Sequence, residues 1–265
     1  MLSDSNARLA AARRLTNRRG RREAGRFLAE GAQAVREALK HPELVVELFA
    51  TSEAFDRQRA LLEAARSAGL PLNELSVKAA GALSETVTPQ GLVAVCRTFD
   101  LPLDQALARS PGLAAMLVEA TDPGNAGTIV RTADAAGATL VILAGNSVDP
   151  YNGKAVRATA GSLFHVDIVI AGDPVPAVAA CGAAGLQVLA TTGAGDTDLD
   201  ALLEDGSLAR RTVWLFGNEA RGLPDEVIAA AEAGVRVPIY GQAESLNLAA
   251  AAAVCLYSSA RERRR

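Results

Sequence analysis

Histidine is almost missing from this 265-residue chain, which carries only His41 and His165. Two are too few for a histidine-based zinc site or for histidine-centred catalysis, so each reads as an ordinary surface or core residue and no metal is expected. Cysteine is nearly as scarce. Cys96, Cys181 and Cys255 are odd in number, far apart and without a C-x-x-C pair. That excludes a disulfide framework, a zinc ribbon and a dithiol redox motif, and it fits a reducing cytoplasm. No uninterrupted apolar run reaches membrane-spanning length, and the Ala-rich stretch Leu246 to Val254 is too short to cross a bilayer, so no membrane partner is expected. The Met1 to Gly25 segment is Arg-rich and lacks the apolar core of a secretory signal. A transit peptide is disfavoured because the arginines lead straight into sequence of folded character. Lysine occurs three times against 24 arginines, and the guanidinium fork suits phosphate.

What the chain does contain is ordinary globular material, with 49% hydrophobic and 22% charged residues. At roughly 150 residues per domain it has room for about two domains. The net charge of −3 says nothing by itself about nucleic acid. It is an average over unlike parts. Residues 1–40 hold ten Lys and Arg against four Asp and Glu, whereas the rest holds 17 against 26. A polyanion is expected to meet the N-terminal part first.

Residues Ser5 to Arg22 read as one helix that would place Arg14, Arg18 and Arg22 on a single basic face. A solvated surface helix accounts for that pattern equally well. After the helical spacing of Val35 and Leu39, strand-length apolar runs occur at Leu44 to Ala50 and Leu92 to Arg97, with a helix at Phe55 to Ala68 between them. This first region is a small α/β unit, and Asp100 to Gly112, bracketed by Pro102 and Pro111, is the candidate boundary. The expected domains are therefore 1–105 and 106–265. Beyond the boundary, strands expected at Leu113 to Ala120, Thr139 to Ala144, Phe164 to Ile170, Leu186 to Thr192 and Thr212 to Phe216 alternate with helices. That rhythm belongs to a parallel sheet covered on both faces. Helices are expected at Thr128 to Ala136, Ala155 to Thr159, Pro174 to Ala180, Leu199 to Leu203, Pro224 to Ala231 and Leu246 to Arg261. Gly137 suits a helix end and Pro224 a helix start.

Common catalytic motifs fail on spacing. Gly193-Ala194-Gly195 lacks the third glycine of a dinucleotide fingerprint and follows a late strand, and Gly153-Lys154 has no P-loop around it. Ser245 lies in Glu-Ser-Leu-Asn rather than in a nucleophile elbow. Three polar, glycine-punctuated loops remain, each after an expected strand and before a helix, where ligands bind in open α/β sheets. The first is Thr121-Asp122-Pro123-Gly124-Asn125-Ala126-Gly127, with Arg131 one turn into the expected helix. Asn125 could cap that helix, and Arg131 could reach a phosphate or hydroxyl. The second is Gly217-Asn218-Glu219-Ala220-Arg221-Gly222, where glycines let backbone approach a ligand and Glu219 could pair with Arg131 or bind a polar group. The third runs from Val237 through Gly241 to Ser245, Leu246 and Asn247, at the start of an Ala-rich helix that Ser245 could cap. Each loop alone reads equally as a capped turn.

Together, in this order, the three loops resemble the signature motifs of the SpoU (TrmH-type) RNA ribose 2′-O-methyltransferases of the SPOUT superfamily. The resemblance runs from Leu113 to about Ala260, and Asp149 to Gly161 is similar to the family's segment between motifs. Upstream, Arg26-Phe27-Leu28-Ala29-Glu30-Gly31, with Val35 and Glu37 to Leu39, resembles an L30e-like RNA-binding domain. The resemblance implies a SPOUT parallel sheet tied in a deep trefoil knot and preceded by that small α/β domain. It implies S-adenosylmethionine held around Thr192, Gly193, Phe216, Gly217, Asn218, Val237, Ile239, Ser245 and Leu246. It further implies a homodimer whose active site takes residues from both chains. Arg131, Asn125, Glu219, Ser245 and Asn247 match the family's catalytic positions.

On this reading Arg131, with Ser245 and Asn247, would position a ribose 2′-oxygen and its neighbouring phosphate while Glu219 and Asn125 hold the array. Arg131 is not expected to act as a literal base, since a guanidinium stays protonated. Arg14, Arg18, Arg22, Arg26 and Arg131 are the candidate RNA contacts, and structured ribosomal RNA, 23S foremost, is the expected substrate. Transfer RNA and a catalytically silent RNA-binding or ribosome-assembly factor are the alternatives. A generic small-molecule enzyme would leave the basic N-terminus and the tail Arg261, Arg263, Arg264 and Arg265 without a role.

Overall fold

The computed structural model describes residues 6–86 and 88–265, which fall into two compact units. One unit takes the chain through Phe99 and adds Asp149–Phe164, a segment far along the sequence. Its sheet has the order β1-β4-β2-β3, formed by Arg26–Glu30 (β1), Val45–Thr51 (β2), Leu72–Leu75 (β3) and Leu92–Arg97 (β4). β4 runs antiparallel to both β1 and β2, and β2 runs parallel to β3. The first and third of these strands were not expected from the sequence. β1 begins inside the arginine tract, whose charge masks an otherwise apolar run, and β3 has a single fully buried side chain, Leu75.

The basic N-terminal segment is two helices, Ala7–Arg14 and Arg18–Ala24, rather than one. Ser5, where the expected helix starts, lies outside the described residues. The break has a local cause. Asn17 adopts an extended conformation, and its side chain accepts a hydrogen bond from the Gly20 N–H at 2.8 Å, which starts a new helix. Arg14, Arg18 and Arg22 therefore do not lie along one helical face. The first helix is anchored by Leu9, Ala12 and Leu15, which pack with Leu28, Phe49, Val93 and Val95. Arg21, 4% exposed, donates to the carbonyls of Leu15 and Thr16 at 3.0 and 3.1 Å and pairs with Asp149 at 2.8 Å.

The inserted segment is held in this unit by a second ion pair, Arg157 to Glu30 at 3.1 Å, and by rings. Tyr151 and Phe164 pack on Phe27, and the Phe99 N–H donates to the Tyr151 hydroxyl at 2.9 Å. Four of the chain's ten aromatic residues are spent here, which explains why so aromatic-poor a sequence places them where it does.

The other unit comprises Asp100–Val148 and His165–Arg265. Its strands are Leu113–Val118 (β5), Leu140–Ala144 (β6), Asp167–Ala171 (β7), Gln187–Thr191 (β8), Thr197–Asp198 (β9), Thr212–Phe216 (β10) and Ala233–Arg236 (β11). They form one parallel sheet in the order β7-β6-β5-β10-β8-β11-β9. The expected doubly covered α/β architecture is thus present. β10 is buried along its whole length, as a central parallel strand should be. β7 starts later than expected because Phe164 belongs to a tight turn, Ser162–Phe164. The last helix, Leu248–Glu262, is pinned to the sheet by the buried Trp214 indole, which donates to the Ser259 hydroxyl at 2.9 Å. Arg263 of the basic tail donates to the carbonyls of Gly112 and Arg210, so this arginine closes the fold. No described helix is long and apolar enough to cross a membrane.

The buried pair makes a stability prediction. Replacing Arg21 by Met leaves Asp149 charged, 11% exposed and without its guanidinium, and two carbonyls without a donor. The expected loss is about 3 kcal/mol in urea unfolding, and the double variant Arg21→Met with Asp149→Asn recovers part of it.

Candidate functional site

Parallel strands end at the same edge of the sheet, so the loops after neighbouring β5 and β10 must emerge side by side. The register pairs Leu117 with Phe216 at that end. The chain after β5 turns at Glu119, a non-glycine residue at φ 53°. Such a conformation persists only when its surroundings impose it. Here the Asn218 amide donates to the Glu119 carbonyl at 2.8 Å, and Arg221 pairs with the Glu119 carboxylate at 2.9 Å. The second loop is itself a tight turn in which the Asn218 and Gly222 N–H groups each donate to the other's carbonyl. Only glycine fits at 217, because a Cβ there would lie 2.2 Å from the Gly222 carbonyl carbon.

This turn delivers Glu219 to the first loop. Its carboxylate accepts from the Thr121 N–H and hydroxyl, both at 3.3 Å, from the Asp122 N–H at 3.2 Å and from the Asn125 amide at 3.2 Å. Asn125 then accepts from the Asn247 amide at 3.2 Å, joining the third loop to the other two. Burial acts to raise the Glu219 pKa, yet the hydrogen bonds from its own N–H, Asn125, Thr121 and Asp122 outweigh it and hold the carboxyl below its ordinary range.

Of the five catalytic candidates, the structure joins Asn125, Glu219 and Asn247 in this network. Arg131 and Ser245 take no part in it. The first-loop helix begins at Pro123, capped by Asp122 rather than by Asn125. Arg131 is therefore more than two turns in, roughly 9 Å along the axis from Asn125. Its guanidinium is exposed and makes no hydrogen bond or ion pair among the described residues. Asn247, not Ser245, caps the last helix, accepting from the Ala249 and Ala250 N–H groups. Pro224 likewise falls one place earlier than expected, in the cap position of Asp225–Ala230.

Beside the third loop lies a cavity of about 170 Å³. Six of the nine expected cofactor residues line it: Thr192, Gly193, Val237, Ile239, Ser245 and Leu246. Phe216 is fully buried in β10, and Gly217 and Asn218 form the tight turn, so these three do not line it. Thr191, Val235, Glu244 and Ala251 were missed. Val235 sits in β11, a strand of four residues with one buried side chain that leaves too little periodicity to detect. The walls combine apolar and polar residues. Ile239 and Leu246 are apolar yet 38% and 40% exposed, a Cβ at Gly193 would meet nothing within 4 Å, and Ser245 and Thr192 are among the lining residues. Among the described residues, no group of three acidic, His or Cys side chains is arranged to hold a metal. Of the RNA-contact candidates, Arg18 and Arg22 line an open concavity with Arg19 and Glu23, Arg14 pairs with Glu23 at 2.8 Å, and Arg26 lies at the start of β1.

Residues 112–257 match the model of the SpoU rRNA Methylase family, and residues 6–94 match the MRM3-like substrate binding domain. The 23S rRNA (guanosine(2553)-2′-O)-methyltransferase RlmP of Bacillus subtilis is 36% identical over 256 residues, 96% of either chain. The 23S rRNA (uridine(2479)-2′-O)-methyltransferase of Streptomyces viridochromogenes is 33% identical, covering 94% of this chain and 87% of its own. Among solved structures, the AdoMet-bound rRNA methyltransferase from Sinorhizobium meliloti superposes with a TM-score of 0.85 at 32% identity, covering 98% of this chain and 97% of that one.

The network predicts a pH response. A carboxylate held below its ordinary pKa contributes order above the unfolded value, and that contribution disappears as pH falls through the lowered folded value. Protection of the Thr121 and Asp122 amides, taken relative to the intrinsic exchange rate at each pH, should be high at neutral pH and lost at acid pH. In Glu219→Gln, which removes one acceptor oxygen, the same amides should be poorly protected at every pH. Unchanged protection in Glu219→Gln would contradict the network.

Proposed function

Because the chain belongs to the SpoU rRNA methylase family, we propose that it transfers a methyl group from S-adenosylmethionine to a ribose 2′-oxygen of 23S ribosomal RNA. The observation that carries this reading is the Glu219 network, which ties the three motif loops together beside a cavity bordered by Ser245. The names of the relatives from Bacillus subtilis and Streptomyces viridochromogenes, both 23S rRNA 2′-O-methyltransferases, support the choice of substrate. Residues 6–94, matched to a substrate-binding domain, carry the basic segment that would meet RNA phosphates through Arg14, Arg18, Arg22 and Arg26.

When bound, the cofactor supplies an electrophilic methyl group on a positively charged sulfur. The chain's own task is alignment, since displacement at a methyl carbon needs the attacking oxygen close and in line. Thr192, Gly193, Val237, Ile239 and Leu246 would hold the donor, and Ser245 faces the same space. Asn125 is held by Glu219 and Asn247 by Asn125, so both can direct polar groups at a ribose without reorganising. Arg131 would grip the phosphate beside the target and stabilise charge growing on the 2′-oxygen.

Arg131 stands roughly 9 Å along its helix from Asn125 and is exposed without a partner among the described residues of its own chain. This supports a homodimer in which Arg131 completes the site of the second copy. Ala250, Val254 and Tyr257 share an exposed face of the last helix, with Val254 41% and Tyr257 53% exposed, and could bury it in such a dimer. The same reading includes the threading of the C-terminal chain into a deep knot. It is supported by the tight approach of the chain before β9 to its parallel neighbour β11, where a Cβ on Gly195 would lie 2.6 Å from the Gly234 carbonyl oxygen. Three buried cysteines, each with its thiol pKa pushed up by burial, accord with a cytoplasmic protein.

Mapping 2′-O-methyl sites in total RNA from cells with and without the gene tests the function. A single site in 23S RNA should vanish, whereas loss confined to transfer RNA would replace the proposed substrate. Arg131→Ala should lower turnover by about a hundredfold or more while leaving RNA affinity within a few-fold, and near-normal turnover would overturn its role. Sedimentation should give twice the 27.3 kDa mass, falling to one in Val254→Glu with Tyr257→Glu.

A further inference from the structure

The cofactor cavity contains one charged side chain. Thr191, Thr192, Val235, Val237, Leu246 and the other lining residues are neutral, and Glu244 alone brings a carboxylate. Glu244 makes no hydrogen bond or ion pair among the described residues, so its charge is not spent on the protein. The loop that carries it is anchored from outside. Tyr240, 85% exposed, donates its hydroxyl to Asp200 just after β9, and neighbouring Asp198 pairs with Arg236 of β11 at 3.1 Å. A charge held on a tethered loop at the wall of a small cavity acts on whatever occupies that cavity.

Resting on the methyl-donor reading, we propose that Glu244 is a specificity-determining residue that makes the pocket prefer the charged donor over the spent product. The reaction changes the ligand's charge at one atom. As the bond from carbon to sulfur breaks, its electron pair stays on sulfur, the methyl joins the 2′-oxygen, and the hydroxyl proton leaves to solvent. Sulfur passes from a cationic sulfonium to a neutral thioether with almost no change of shape. Apolar walls cannot distinguish two ligands so alike in volume. An unpaired carboxylate at the cavity wall can, because attraction to a positive centre is present for one and absent for the other. Its partly solvated position limits the effect to about three- to tenfold. That range suffices to bias exchange towards fresh donor and to relieve product inhibition.

Calorimetric binding to the full-length protein provides the test, with S-adenosylmethionine, S-adenosylhomocysteine and sinefungin, a stable analogue with an amine where the sulfonium would be. In Glu244→Gln, affinity for S-adenosylmethionine and sinefungin should fall about three- to tenfold while affinity for S-adenosylhomocysteine stays within about twofold. Glu244→Lys should widen that split, Glu244→Asp should retain much of the preference, and raising salt should weaken donor binding in the native protein only. Equal losses for charged and neutral ligands, or none, would overturn the role of Glu244 and leave the donor reading intact. Failure of the native protein to bind any of the three would overturn both.

Discussion

Glu219 stands at the point where the parallel pairing of β10 with β5 becomes chemistry. Parallel neighbours must release their chains at one edge, and Thr121, Asp122, Asn125 and Asn218 are all delivered there by strand register alone. A carboxylate placed among so many donors is held ionised, and it satisfies N–H groups that a loop turning at φ 53° would otherwise leave to solvent. The strain at Glu119 and the charge at Glu219 therefore sustain each other. The first turns the chain so that the donors converge, and the second makes the turned conformation worth keeping. Asn247 extends the arrangement by working twice, its oxygen capping the last helix and its amide reaching Asn125.

The last helix could not serve as a fixed platform for Asn247 without an anchor in the sheet. Its Ala-rich sequence lets it approach closely, but small side chains give little direction. The bond from the Trp214 indole to Ser259 supplies direction, since both groups are fully buried and neither can be satisfied elsewhere. Tryptophan occurs once in the chain, and it lies in the strand that also ends at the Glu219 loop. One strand thus fixes both the second loop and the helix that carries part of the third.

How much of this could be read beforehand depended on whether the cause was local. β4 and β10 begin and end at the expected residues because their apolar runs are bounded by turn residues and fully buried. Gly137 ends its helix in the left-handed conformation for which glycine is suited. The break at Asn17 was hidden because good helix formers surround it and a single side-chain cap decides the matter. β11 was hidden because Ala233 and Gly234 have no side chain large enough to show alternation, and Val235, which lines the cavity beside the third loop, was lost with it. In the site, the three loops could be found as motifs, whereas the partners of Glu219 could not, since they depend on sheet order. Arg131, expected one turn into its helix, lies more than two turns in, and the possible pairing with Glu219 is not made, because Pro123 opens the helix five residues before the expected start.

That displacement bears on how the chain divides labour between holding and reacting. Glu219, Asn125 and Asn247 are linked in one chain of hydrogen bonds that Thr121 and Asp122 also join, which makes them good at keeping a shape. Arg131, Ser245 and Glu244 are polar groups around the loops without protein partners among the described residues. An ordered backbone beneath such groups leaves only side-chain freedom to be lost when a ligand arrives, about 0.5–1.5 kcal/mol for each long side chain that is immobilised. On the proposed reading, a cation suited to phosphate and an anion suited to a sulfonium would carry the opposite charges that the two reactants require. The network can then be understood as the means of presenting two unpaired charges on an edge that the sheet has already aligned.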